Sequence, residues 1–479
     1  MRGKVKPVQE PLWAPAVPDT GKHRLLQRIA QLLDLSEAVR VAEGRFSAIG
    51  RPSIPVEQML QAMLLGYLFG ICSDRRLVEE CADSLAFRSF LGLSFDEKMF
   101  THASFTHWRQ RLGPEFFRYC LHDLVRQCEA HGMRLGRARA VDATTIKGQA
   151  SLDGPLVSLP REQDLEDYLQ EAFAADEPAL PVADDNIPIN LHDPEARLQR
   201  KGSEPAEFAY QGSFSVDPES GLIADATATP TEQPATMVDH VDHDPGVVRE
   251  LVADSRYDDG LSLEQLQERG VTPYVPRAQR GRAGQLSKDQ FTYDAAQDCY
   301  FCPQGCRLAR FNTDVQARRH RYAARPSDCA ACPRKGDCTK GRRRYVDRHL
   351  AEAAREQTVR AGPGYQVLQR RRRTAEHLFM LGKRDHGLGR ARGLGLATVQ
   401  IQVALTAVSI NLKKLVRFLG APRPLAAAAQ VLLALLSAFL SPGGPPRRPL
   451  GAVGGVSRPV AHRTLIALPH IPRQRTAPF

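Results

Sequence analysis

RARAVDATTIK, residues 137–147, decides how this chain is read. It is a short apolar, β-branched run of the kind that forms a buried strand, and Asp142 interrupts it. An ionised Asp has no cheap place in an apolar strand unless its charge is paired or binds a metal. The same conflict recurs in ELVADSRY (250–257), where Asp254 ends a second such run. A third acidic residue, Glu376, lies in RRRTAEHLFMLGKR (371–384), where a helical pattern takes over. Carboxylates from two strands and a helix can converge on two divalent cations, an arrangement suited to in-line attack on phosphodiesters. More than 100 residues separate each of the three from the next, so only a fold can gather them.

The 479-residue chain carries a net charge of +11, which suits a polyanionic partner. The charge is unevenly placed. Residues 151–200 hold 12 Asp/Glu and 3 Lys/Arg, whereas residues 301–350 hold 4 and 13, so the basic excess lies just before Glu376. The longest apolar stretch, near 425–440, is short for a membrane span. The N-terminus lacks the apolar core of a signal peptide. The expected setting is the cytoplasm, at the nucleoid, with no membrane contact.

Six regions follow from composition and periodicity. Residues 1–22 are Pro-rich and read as disordered. Residues 23–130 read as a helical domain, with Met59, Met63, Leu64, Tyr67 and Leu68 on one buried face and Arg109 and Arg111 pointing outward. Residues 131–276 read as the first part of an α/β core with a mixed sheet. Within it, 151–203 reads as an acidic loop and 207–228 as a hairpin around DPESG. Residues 277–350 form a basic, cysteine-rich insert. Residues 351–420 resume the core with two helices, the second striped by Ile401, Leu405, Val408, Leu412 and Leu415. Residues 421–479 form a Pro/Gly/Ala-rich tail.

Six cysteines of the insert pattern as Cys299-x2-Cys302-x3-Cys306 and Cys329-x2-Cys332-x5-Cys338. Paired Cys-x2-Cys knuckles point to a structural zinc, which needs four thiolates and no open position. Cys299, Cys302, Cys329 and Cys332 are the first choice, with Cys306 and Cys338 as alternates. Arg342, Arg343 and Arg344 beside them suggest a grip on DNA backbone. Three other acidic residues compete with Asp254. Asp258 and Asp259 follow it in a turn, and Asp225 lies inside the hairpin. The run HVDHD (240–244) imitates a metal site but sits in a polar segment.

With those motifs in order, the chain resembles the DDE-type transposases of bacterial insertion sequences, in the branch with a cysteine-rich insert before the catalytic Glu. VDATTIK (141–147) resembles the first-Asp strand, DPEAR (193–197) and YQGSFSVD (210–217) the approach to the next strands, and VADSRY (252–257) the second-Asp strand. Around the Glu the family favours Tyr-x2-Arg-x3-Glu-x6-Lys. Arg372, Glu376 and Lys383 fit, while Gln369 replaces the Tyr. The resemblance implies a ribonuclease H-like core preceded by a helical DNA-binding domain. It implies Asp142, Asp254 and Glu376 as catalytic ligands of Mg²⁺ or Mn²⁺, with Arg372 and Lys383 against phosphates. It also implies double-stranded DNA, both transposon ends and target, as substrate, and a dimer or larger assembly on it. The alternatives are a same-fold nuclease without strand transfer and an inactive, zinc-stabilised DNA-binding descendant.

Overall fold

A computed structural model describes residues 20–46, 53–94, 96–159, 187–200, 203–278, 286–315 and 318–420. The expected disordered start, most of the acidic loop and the tail, including 425–440, lie outside the described residues.

Six helices lead: α1 (Gly21–Leu32), α2 (Ser36–Glu43), α3 (Val56–Leu68), α4 (Asp74–Asp83), α5 (Leu85–Leu91) and α6 (Ala103–Ala130). Ser73 caps α4 by accepting from the Arg76 amide. The expected stripe on α3 is buried throughout. One expectation fails here. Arg109 is not turned outward but is half-buried, with both guanidinium nitrogens 2.7 Å from Asp74. Helix α6 bends at Gly113–Pro114, where Gly113 takes φ 67°.

The core sheet follows. Strand β1 (Ala138–Lys147) precedes a small antiparallel pair, β2 (Leu156–Leu159) with β3 (Ile187–Asn190), which lies inside the stretch 151–203 that reads as an acidic loop. Then come β4 (Arg197–Gln199), β5 (Glu207–Val216), β6 (Ile223–Thr229), helix α7 (Thr236–His243), β7 (Glu250–Val252), α8 (Gly260–Glu268) and β8 (Thr272–Tyr274). Strand β1 pairs antiparallel with β5, and β5 with β6; on its other side β1 pairs parallel with β7, and β7 with β8. The six-stranded sheet runs β5-β1-β7-β8, with β6 and the short β4 both pairing antiparallel with β5; antiparallel on one side of β1 and parallel on the other, it is the ribonuclease H-like arrangement. Helices α7 and α8 supply the crossovers that parallel strands need.

Between β8 and the last helices sits a second sheet, an antiparallel meander of β9 (Thr292–Asp294), β10 (Cys299–Phe301), β11 (Arg307–Asp314), β12 (Arg319–Ala324) and β13 (Tyr345–His349). Two short helices, α9 (Pro326–Ala330) and α10 (Lys335–Cys338), lie in its β12–β13 connection. It has its own small core, including Phe291, Tyr300, Leu308, Tyr322 and Val346. The chain then returns through α11 (Glu352–Gln357) to α12 (Pro363–Asp385) and α13 (Leu396–Gly420).

The two faces of the main sheet bury different partners. One face, with Ala140, Ile146, Phe214 and Ile223, packs on α12, α13 and the leading helices. The other, with Val141, Leu251 and Ala253, packs on α7 and α8. The leading helices thus share one core with the sheet rather than forming a core of their own. Helix α13 is long and apolar enough to cross a bilayer, but 72% of its most apolar window is buried in this core. It fits close because Gly212 on β5 has no side chain; a Cβ there would sit 3.1 Å from Val403. Asn411 fastens it further, accepting from the Ile223 amide at 3.0 Å and donating to its carbonyl at 2.9 Å.

Candidate active site

Strand alternation aims Asp142. Residues 140, 142 and 146 share a face, and Ala140 and Ile146 belong to the core under α12. Asp142 therefore points toward α12. Directly opposite it on β5 is Phe214, whose ring stacks on Phe379 of α12 at 4.4 Å and 9°. Phe379 lies one helical turn beyond Glu376, so this stack holds the Glu376 turn over the Asp142 position. Asp254 arrives differently. It follows β7, the parallel neighbour of β1, and caps the short 3₁₀ turn Ser255–Tyr257 by accepting from the Arg256 amide at 2.8 Å.

Two guanidiniums tie the three carboxylates together. Arg372 lies 3.5 Å from Asp142 and 2.9 Å from Glu376. Arg256 lies 2.9 Å from Asp254, 3.8 Å from Asp142 and 3.0 Å from Glu232. Burial pushes the Asp142 carboxyl above its usual range, against the pull of Arg372. Burial also raises Glu232, with Asp254 and Asp142 adding to the rise and Arg256 opposing it. The site thus holds four carboxylates around two guanidiniums. Beside it opens a cleft of about 410 Å³, lined by Thr144, Thr145, Gln211, Glu232, Arg256 and Lys383 among others.

The donors are all hard carboxylate oxygens, the chemistry that Mg²⁺ or Mn²⁺ prefers. Four carboxylates sharing two guanidiniums also leave a demand for positive charge, so the residues fit a divalent cation. Among the described residues, no three His, Cys, Asp or Glu side chains are grouped closely enough to hold an ion as they stand. Arg256 and Arg372 lie between the carboxylates.

The rival acidic residues have other work. Asp225 is fully buried and held well below the usual carboxylate range: Arg118, His122 and His240 bond to it, outweighing its burial. Asp258 is gripped by Arg355 at 2.5 Å and Arg360 at 2.9 Å. Asp259 caps α8 through the Ser262 amide. In HVDHD, His240 pairs with Asp225, Asp242 with Arg269, and Asp244 with Arg139. These segments are ion-paired structure.

The insert places its six cysteines as two knuckles, Cys338 and Cys299. Cys302 and Cys306 close one knuckle through a 3.0 Å main-chain bond, and Cys329 and Cys332 close another at 3.4 Å. Burial raises the Cys306 thiol first, and Cys302 and Cys332 add to the rise. Cys338 is raised by burial too, with Cys329, Cys302 and Cys332 contributing. Cys299 stands apart from these five. It opens β10, opposite Ala309 and Asp294, on the other face from Tyr300 and the insert core that includes Cys302, Cys329 and Cys338. Of the three expected DNA-gripping arginines, Arg342 is exposed. Arg343 lies over the Phe311 and Tyr345 rings. Arg344 is turned inward, donating to the Cys338 carbonyl at 2.8 Å and the Leu286 carbonyl at 2.9 Å.

Sequence reasoning missed Arg256, Glu232 and the function of Gln369. Arg256 sat two residues from Asp254 in the segment already singled out. Glu232 lies in a polar connection with no pattern to mark it. Gln369, the departure from the family spacing, donates to the carbonyls of Ala253 at 3.2 Å and Tyr274 at 3.0 Å.

Comparison with known proteins gives two domain matches. Residues 17–111 match the family described as Transposase domain (DUF772), and residues 301–416 match the family described as Transposase DDE domain. No curated protein matches the chain. Among solved structures, a cryo-EM synaptic complex of the piggyBac transposase with hairpin DNA is similar at 8% identity. That likeness covers 89% of this chain and 84% of that one, with a TM-score of 0.30, too low to carry an argument.

Proposed function

We propose that this chain is a DDE-type transposase in which Asp142, Asp254 and Glu376 form the catalytic site for cutting the ends of an insertion sequence and joining them to target DNA. One observation carries the assignment. Arg372 pairs with both Asp142 and Glu376, and Arg256 with both Asp142 and Asp254, so residues far apart in sequence share one pair of counter-charges.

Divalent cations held by these carboxylates would supply activation of the attacking oxygen and stabilisation of the departing one. The chain's own residues do the rest. Burial under α12 keeps Asp142 out of bulk water, where its charge acts at lower dielectric. Arg372 and Arg256, now spent on carboxylates, are placed to turn toward phosphate oxygens when the carboxylates take up cations. Lys383 in the adjoining cleft offers a further contact to the DNA backbone. Thr144, Thr145 and Gln211 give the cleft wall neutral donors for the same backbone. Two ends must be cut together, so the active form is a dimer or larger on DNA.

The test compares binding, cleavage and strand joining on one labelled end fragment. Asp254→Asn, Asp142→Asn and Glu376→Gln should each keep end binding and lose both reactions, because such a site acts as a unit. Chelation should do the same to the unmutated protein, with recovery on added Mg²⁺ or Mn²⁺. Cleavage at the normal rate by Asp254→Asn would sink the assignment. Cleavage without joining by the unmutated protein would leave a nuclease.

A further inference from the structure

The outward face of the insert sheet carries aromatic rings where water is the expected neighbour. Phe311 is 53% exposed and Tyr345 is 41% exposed. A β-bulge puts Phe311 there. Arg310 pairs with Tyr322 and Asn312 with Arg321, so Phe311 and Asn312 together oppose a single residue. Bulges re-aim side chains and are a common feature of functional edges. The two rings meet edge-on, 5.8 Å apart at 64°.

A guanidinium completes the group. Arg343 lies 4.5 Å from the Phe311 ring centre and 5.1 Å from that of Tyr345. Its Nε donates to the Tyr345 hydroxyl at 2.9 Å, which holds it across both rings. Among the described residues no carboxylate pairs with Arg343, whereas neighbouring Arg321 and Arg319 are both paired to Asp347. Across the sheet from Tyr345 the facing residues are Ala323 and then Ala309, both small, and on the same strand as Ala323 the Arg321 guanidinium lies 5.7 Å from the Tyr345 ring centre. The surroundings are basic, with Arg342 exposed one residue away.

We propose that Phe311, Tyr345 and Arg343 form a stacking platform for an unpaired base of the DNA substrate, with Arg342 on the adjoining phosphate. The proposal rests on the DNA-acting reading above and extends it to a substrate feature. Every base has a π-face, so rings and a guanidinium plane receive it whatever its identity. In intact duplex those faces are stacked away, so the platform selects DNA with an overhang, a hairpin tip or an extruded base. The positive charge of the surroundings fits a polyanion and disfavours a basic or neutral peptide.

The test uses the full chain and two probes of equal length and charge. One is fully paired; the other carries an unpaired 2-aminopurine. The unmutated protein should bind the second more tightly and change its fluorescence. Phe311→Ala with Tyr345→Ala should weaken binding to the unpaired probe about tenfold or more, with duplex binding and its salt slope unchanged. Phe311→Trp should retain the preference, and Arg343→Lys should reduce it while keeping the charge. Equal binding of both probes by the unmutated protein would overturn the platform but leave the DNA reading standing. Equal loss on both probes by the double variant would also overturn it. Failure to bind either probe would instead overturn the DNA reading itself. Displacement of the unpaired probe by an acidic peptide, but not by single-stranded DNA, would assign the surface to a protein partner and overturn the proposal.

Discussion

The side-chain amide of Gln369 donates to the main-chain carbonyl of Ala253, the residue before Asp254, at 3.2 Å. The same amide reaches Tyr274 at 3.0 Å, so one side chain on α12 clasps the ends of β7 and β8. Two turns further along α12 stands Glu376. The clasp therefore sets the distance between the helix that brings Glu376 and the strand that brings Asp254.

Gln369→Leu should keep the helix and its packing but remove the side-chain donor from both carbonyls, leaving that of Tyr274 only the Ala253 amide at 3.4 Å. Cleavage should slow by about 10–100-fold, because a misplacement of roughly 1 Å in a reacting site costs that much. Binding of end DNA should be unchanged. Equal rates for Gln369→Leu and the unmutated protein on the labelled fragment would show that packing alone positions the helix.

Asp142 and Asp225 should respond to the same chemical change in opposite directions. Burial holds Asp142 above its usual range, so its charge is a cost to the fold at neutral pH. Asp142→Asn should abolish cleavage and raise stability by about 1 kcal/mol, the usual exchange at a reactive site. Asp225 is held below its usual range by Arg118, His122 and His240. Asp225→Asn leaves the Arg118 guanidinium with a lost partner in a buried setting and should cost about 3–5 kcal/mol. Urea denaturation at pH 7 reads both shifts.

His386 gives the fold a pH dependence. Its Nδ1 bonds to the Tyr67 carbonyl at 2.8 Å, and burial pushes its pKa down to about 4 from 6.5. The unfolded chain therefore binds more protons between those values, and stability rises with pH across them. It should be fully present above pH 6.5 and lost as pH falls through 4, by up to about 3 kcal/mol. His386→Gln keeps a donor and removes the titration. Denaturation midpoints at pH 7 and pH 5 should then differ less in the variant than in the unmutated protein.

We propose that Cys302, Cys306, Cys329 and Cys332, which are not grouped around an ion as they stand, close on about one zinc per chain, with Cys338 adjoining. Structural zinc contributes folding energy outright, so Cys332→Ser should lose both metal and the fold of the insert. Cys299→Ala should keep the metal, since that residue lies on the other face of the strand. Elemental analysis of the purified variants reads the outcome; zinc lost from Cys299→Ala but kept by Cys332→Ser would reverse the ligand assignment.

Much of this protein is legible in one dimension because its signals are local. A short apolar, β-branched run marks β1, turn chemistry marks the β5–β6 hairpin at DPESG, and the apolar stripe marks α13. The anomaly of a carboxylate in an apolar run picks out Asp142 and Asp254, since burying an unpaired charge is too costly to be incidental. What only the tertiary structure decides is which counter-charges each acid meets. Asp225 and Asp258 look as eligible as Asp254 until Arg118 and Arg355 arrive from segments about 100 residues away. The same holds for Arg256, which reaches Asp142 on β1 and Glu232 as well as neighbouring Asp254, and for Cys299, whose strand face is set by pairing with Ala309. Sequence records that a charge or a thiol is present. Its neighbours through space, which set its ionisation, its reach and its use, belong to the packed chain alone.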